Sequence, residues 1–169
     1  MTKSLKGRIG RMLAIASLVV GVSVSTSSVF AAECPADKRG VDVRAPDKTP
    51  ASGVTDTVIS SIDVAKEPAH IKGRLFRLRK LVIQPGGVVP WHSHGDRPAI
   101  IYIISGTVEE YASNCSVPIV HTPGDVTSET HGTSHWWKNT GTEPVVLLSA
   151  DLFPVKGNPH ILMANRLCH

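Results

Sequence analysis

From Thr57 onward the chain is built of short runs rich in Val, Ile, Leu and Thr: TVISSIDV, RLFRLRKLVIQ, AIIYIISGTVEEY and PVVLLSADLF. Pro-Gly, Gly-Thr, Pro-Gly-Asp and Gly-Thr-Glu-Pro separate them, and these residues favour the dihedrals that turns require. Several short strands punctuated in this way predict an all-β sandwich or barrel. No segment carries a 3.6-residue apolar period long enough for an extended helix, and only the tail at 158–169 leaves a short one open. Between Ala32 and Val54 the pattern changes. That stretch is polar and Pro-rich, with ECPADKRG and APDKTPASG, and shows neither period; it predicts an extended arm.

The first residues belong to a different layout. Lys3, Lys6, Arg8 and Arg11 precede an apolar run from Met12 to Val22, with Val29-Phe30-Ala31 beyond it. This is the pattern of an export signal cut after Ala31. The run is shorter than the roughly 20 residues a bilayer span needs, and no stop-transfer cluster follows. The expectation is therefore a periplasmic or secreted protein with no stable membrane insertion after cleavage. The resulting division is 1–31 as signal peptide, 32–54 as arm, 55–157 as β-barrel and 158–169 as C-terminal tail. Cleavage leaves 169 − 31 = 138 residues, the size of one compact domain.

Charge follows the same division. Removing four cations and no acids lowers Lys+Arg from 18 to 14, equal to the 14 Asp+Glu, so the sequence pI of 9.1 belongs largely to the leader. A neutral mature chain lacks the persistent basic face that nucleic-acid or membrane-surface binding requires, and both partners are excluded. Cys34, Cys115 and Cys168 all survive cleavage and would meet an oxidising compartment. Chain ends often lie close together, which favours a Cys34–Cys168 staple with Cys115 free. A Cys34–Cys115 bridge, or none, carries comparable weight.

The chemistry concentrates at Trp91-His92-Ser93-His94. A strand's period of two puts both imidazoles on one face, and His135, after the turn at Gly132, opens another strand. Adjacent strands of a barrel bring such side chains to one point, as a first-row metal requires. The segment from Gly86 through His92 and His94 to Gly106 resembles the first motif of the cupin superfamily. The segment from Gly124 through Gly132 and His135 to Asn139 resembles the second.

The resemblance implies a jelly-roll β-barrel, a metal held by His92, His94 and His135, a small-molecule ligand or substrate, and a homodimer. Ala99 stands where most metal-binding cupins place a glutamate ligand, and Thr130 where the second motif has proline. A three-histidine centre, as in the branches that resemble thiol and diketone dioxygenases, ranks first. Asp96, Glu129 or His131 as a substitute ligand, and a metal-free ligand pocket, stay open as alternatives. All-imidazole ligation suits Fe(II), the favoured ion, or Ni(II), Cu(II) or Zn(II). The activity expected is a dioxygenase-type oxidation of a small molecule; the alternative is non-catalytic binding or sensing.

Four further residues are candidates for substrate contact or for supporting the ligands. Arg97 follows the first motif and suits a substrate carboxylate. His131 lies one loop from His135. Ile101 and Ile103 share the parity of Ala99, which places them inward as pocket wall or core. Lys72, Arg74, Arg77, Arg79 and Lys80 read either as an exposed charged strand face paired with acids such as Glu109 and Glu110, which ranks first, or as an anion-binding lining.

Overall fold

The computed structural model describes residues 32–155. The expected signal segment 1–31, the tail 158–169 where the sequence leaves a short helix open, and Cys168 lie outside the described residues. Eight antiparallel strands make up the domain: β1 (Ser52–Asp63), β2 (Arg74–Ser93), β3 (Ala99–Ser105), β4 (Val108–Ala112), β5 (Ile119–His121), β6 (Val126–Glu129), β7 (Ser134–Lys138) and β8 (Val145–Pro154). They form one sheet in the order β5-β4-β7-β2-β8-β3-β6, with β1 on β2. The fold is a curled antiparallel sheet of the jelly-roll type. The sheet curls on itself, and among the described residues the strands at the two ends of this order, β5 and β6, do not pair with each other.

The 20-residue β2 is the spine. Its first half pairs with β8 from Arg74 to Ile83, and from Val88 it pairs with β7 instead. The change of partner happens at Gly86-Gly87. A Cβ on Gly87 would lie 2.8 Å from the Gln84 carbonyl oxygen and 2.9 Å from that of Gly53, so the corner can be turned this tightly only by glycine. Asn139 clamps the corner, its side-chain amide donating to the carbonyls of Ile83 at 2.9 Å and Glu143 at 2.8 Å. Gly106 plays a similar part between β3 and β4: its φ is +79°, and a Cβ there would meet the Pro144 carbonyl at 2.8 Å.

Alternation divides the interior into layers. Leu81, Ile83, Ile101, Ile103, Val108, Trp137, Val145 and Leu147 form the apolar core. Toward the other end the inward row changes character, running Arg77–Asp151–Ala99–Glu129 across four paired strands. Arg77 and Arg79 therefore point inward, and Glu110 is buried at 3% exposure. This corrects the reading of an exposed charged face: their parity with Leu81 and Ile83 sets their side of β2.

The disulfide expectation is also corrected. Cys34 bonds Cys115, with Cα atoms 5.8 Å apart, so Cys115 is not free. The arm runs across the β4–β5 turn, where Gly40 N–H donates to the Asn114 carbonyl and Ser116 N–H to that of Lys38, and this path brings the two sulfurs together. The bridge closes a sequence separation of 81 residues. Replacing Cys34 and Cys115 by serine is expected to cost about 2–4 kcal/mol in denaturant unfolding; a loss under about 0.5 kcal/mol would mean that the arm holds its place without the bond.

Candidate metal centre

His92 and His135 are direct register partners on β2 and β7, and His94 follows at the end of β2. Their three Nε2 atoms form a triangle: 3.1 Å from His92 to His94, 3.0 Å from His94 to His135 and 3.1 Å from His135 to His92. The other nitrogen of each ring is committed. Nδ1 of His92 donates to the Pro90 carbonyl at 2.8 Å, that of His94 to the Arg97 carbonyl at 2.8 Å, and that of His135 to Glu110 Oε1 at 2.6 Å. The indole N–H of Trp137 also lies 3.1 Å from Nδ1 of His135. The closer, charged carboxylate takes the Nδ1 proton, so the indole is a packing contact.

These three donations fix the tautomers. A neutral imidazole with its proton on Nδ1 has only a lone pair on Nε2, so three lone pairs converge on one point with nothing between them to accept. A metal ion at that point, or a second proton on His135, resolves that repulsion. Three imidazole nitrogens at about 2.1 Å from one ion stand ~3.0 Å apart when the angles at the ion are right angles, and ~3.4 Å apart when it is tetrahedral. The observed triangle matches the right-angled spacing, so His92, His94 and His135 would hold an ion from one side. The residues present fit a divalent metal.

The electrostatics agree. Burial, with the charges of His135 and His94, holds His92 well below the usual imidazole range, and burial with His135 takes His94 down to about 3. Both rings favour the neutral form. His135 differs: burial opposes its charged form, but the carboxylates of Glu129 and Glu110 outweigh this and raise it.

Glu110 is the centre of a second layer that the sequence reading missed. Its Oε2 accepts from Nε2 of His121 at 2.8 Å while Oε1 holds His135. Burial would raise the Glu110 carboxyl, but the bonds from His121 and His135 bring it down to about 2. His121, for which the sequence suggested no role, is fully buried and stacks on Trp137 at 4.7 Å between centroids.

Glu129 faces Ala99 across β3 and β6, and its Oε2 lies 3.5 Å from His135 Nδ1. It therefore stands behind the ring rather than at the Nε2 triangle. Burial and the neighbouring Glu110 charge push its carboxyl up. Glu110, Glu129 and His135 Nδ1 are themselves close enough to share a cation. That face, however, already carries the Nδ1 proton.

The remaining sequence candidates divide. Arg97 is near the triangle through its carbonyl. Ile101 and Ile103 belong to the apolar core. His131 is exposed, with Nδ1 3.1 Å from the Gly95 carbonyl, and is not brought to the triangle. Asp96 is likewise exposed.

Residues 79–151 match the cupin domain family. Over these residues the chain carries a cupin domain. A Klebsiella pneumoniae protein with a double-stranded β-helix domain is similar in structure, with TM-score 0.50, 20% identity, and coverage of 65% of this chain and 85% of that one. Among curated relatives, this cupin is 27% identical to the auxin-binding protein ABP19b of Prunus persica over 52% of its own length and 43% of the relative's. It is 25% identical to ABP19a of the same plant over 62% and 54%. The chain thus spans about half the length of the curated relatives it matches.

Proposed function

We propose that this cupin holds one divalent first-row transition metal through Nε2 of His92, His94 and His135 and uses it in a dioxygenase-type oxidation of a small molecule. One observation carries this: three imidazole lone pairs converge at 3.0–3.1 Å while each ring's other nitrogen donates elsewhere. Three ligands on one face suit Fe(II), with Ni(II) and Cu(II) next and Zn(II) less well matched by the angles. A bound ion supplies open coordination positions and Lewis acidity. The chain's own residues orient the ligand rings through the carbonyls of Pro90 and Arg97, and Glu110 sets a negative charge behind His135. The apolar layer of Ile101, Ile103 and Trp137 excludes water below.

A second reading, a non-catalytic binding protein that uses the same pocket, is favoured by Ala99, which removes the anionic ligand of the usual set. The binding roles named for the two Prunus relatives support it too. Export to the periplasm or beyond belongs to the proposal, supported by the Cys34–Cys115 bridge, since disulfides persist in oxidising compartments. So does a homodimer, supported by an outward apolar face on which Phe76, Leu78, Ile100, Tyr102 and Ile104 are each at least 36% exposed.

Elemental analysis of the purified protein beside a His92→Ala, His135→Ala double variant tests the centre. We expect about one metal equivalent in the wild type and none in the variant. Metal retained by the variant would overturn the assignment. Oxygen uptake separates the two readings, since a binding protein consumes none.

A further inference from the structure

Beside the triangle, three guanidinium groups gather on one carboxylate. Arg77 takes both oxygens of Asp151, Nε to Oδ1 at 2.9 Å and Nη2 to Oδ2 at 2.7 Å. Nε of Arg79 lies 3.4 Å from Oδ2, and Nη1 of Arg97 lies 3.6 Å from that same oxygen. Arg79 has Asp56 as a second partner and donates to Ser149 Oγ at 3.2 Å. Three cations against two carboxylates leave one positive charge unmatched, on side chains only 9%, 12% and 15% exposed.

The surplus falls on Arg97. Its guanidinium pairs with Asp151 at 3.6 Å, beyond hydrogen-bond distance, with the charge of Asp56 also acting on it, although the group carries five N–H donors in a planar fork. Nε of Arg79 is also buried without a hydrogen-bond partner. Burial, with the charge of Arg79, lowers Arg97 to about 10, still cationic at neutral pH. Its charge acts on His92, His94 and His135 alike, lowering each. Its own carbonyl anchors His94.

Resting on the metal centre proposed above, we infer that Arg97, supported by Arg79, is a carboxylate subsite next to the three imidazoles, and that the small molecule this cupin takes is an organic carboxylate. A carboxylate accepts two parallel N–H bonds from a guanidinium fork, and one negative charge balances the single surplus. A neutral alcohol or sugar leaves that charge unmatched, and a cation is repelled by it.

The test uses the full-length protein loaded with Co(II), whose visible band reports the centre, titrated with acetate and benzoate against acetamide and benzamide. The carboxylates are expected to perturb the band saturably and the amides not. Arg97→Gln is expected to weaken carboxylate binding at least tenfold while keeping the Co(II) band, and Arg97→Lys, a point charge without the fork, to weaken it as well. A band that forms normally but responds equally to amides, or equally in Arg97→Gln, overturns the subsite and leaves the centre standing. If no Co(II) band forms, the centre fails, and calorimetry of the metal-free protein decides the subsite: Arg97-dependent benzoate binding upholds it, and no such binding overturns it.

Discussion

Glu110→Gln is expected to weaken metal binding by roughly 10–100-fold, the usual cost of losing a carboxylate behind a ligating histidine. Glutamine keeps the shape and an oxygen for the His135 Nδ1 proton but removes the negative charge. That charge matters here more than usual, because Ala99 leaves the ion with three neutral ligands and no anion among them. Glu110 stands 2.6 Å behind His135 and supplies through the ring part of what the missing carboxylate would give directly. Glu129→Gln, acting from 3.5 Å, should have the smaller effect. Competition against a chelator of known affinity measures both. Equal affinity in Glu110→Gln and wild type would reduce Glu110 to a buried hydrogen-bond partner of His121.

The second large effect is at Asp151. Its side chain is fully buried beneath three arginines, and Arg77 is further fixed 3.5 Å over the Phe153 ring, so it cannot easily swing out to water. Asp151→Ala leaves buried guanidinium charge uncompensated and is expected to destabilise the fold by about 3–5 kcal/mol in urea unfolding. A loss under about 1 kcal/mol would show that the arginines reach solvent when their partner is gone. Asp151→Asn, which keeps the acceptor and drops the charge, should fall between.

The triangle itself was legible from the chain because it rests on short-range rules. A strand's two-residue period puts His92 and His94 on one side, and the motif spacing from Gly124 to Asn139 brings His135 in register with them. The supporting layer was less visible. Glu109-Glu110 reads as a pair of surface acids until β4 is known to turn Val108, Glu110 and Ala112 inward, and His121 acquires meaning only as the partner of a carboxylate 11 residues away. For Arg77 and Arg79 a signal was present: they share parity with Leu81 and Ile83, and reading that alternation through the charges places them inside. The Cys34–Cys115 bond depends on the path of the arm across the β4–β5 turn, a long-range arrangement that no local pattern encodes.

Anomalous diffraction from crystals of the metal-loaded protein tests the central claim most directly. A single strong peak is expected at about 2.0–2.2 Å from Nε2 of His92, His94 and His135. A peak on the opposite side of His135, between the carboxylates of Glu110 and Glu129, or no peak in protein that elemental analysis shows to be loaded, would contradict it.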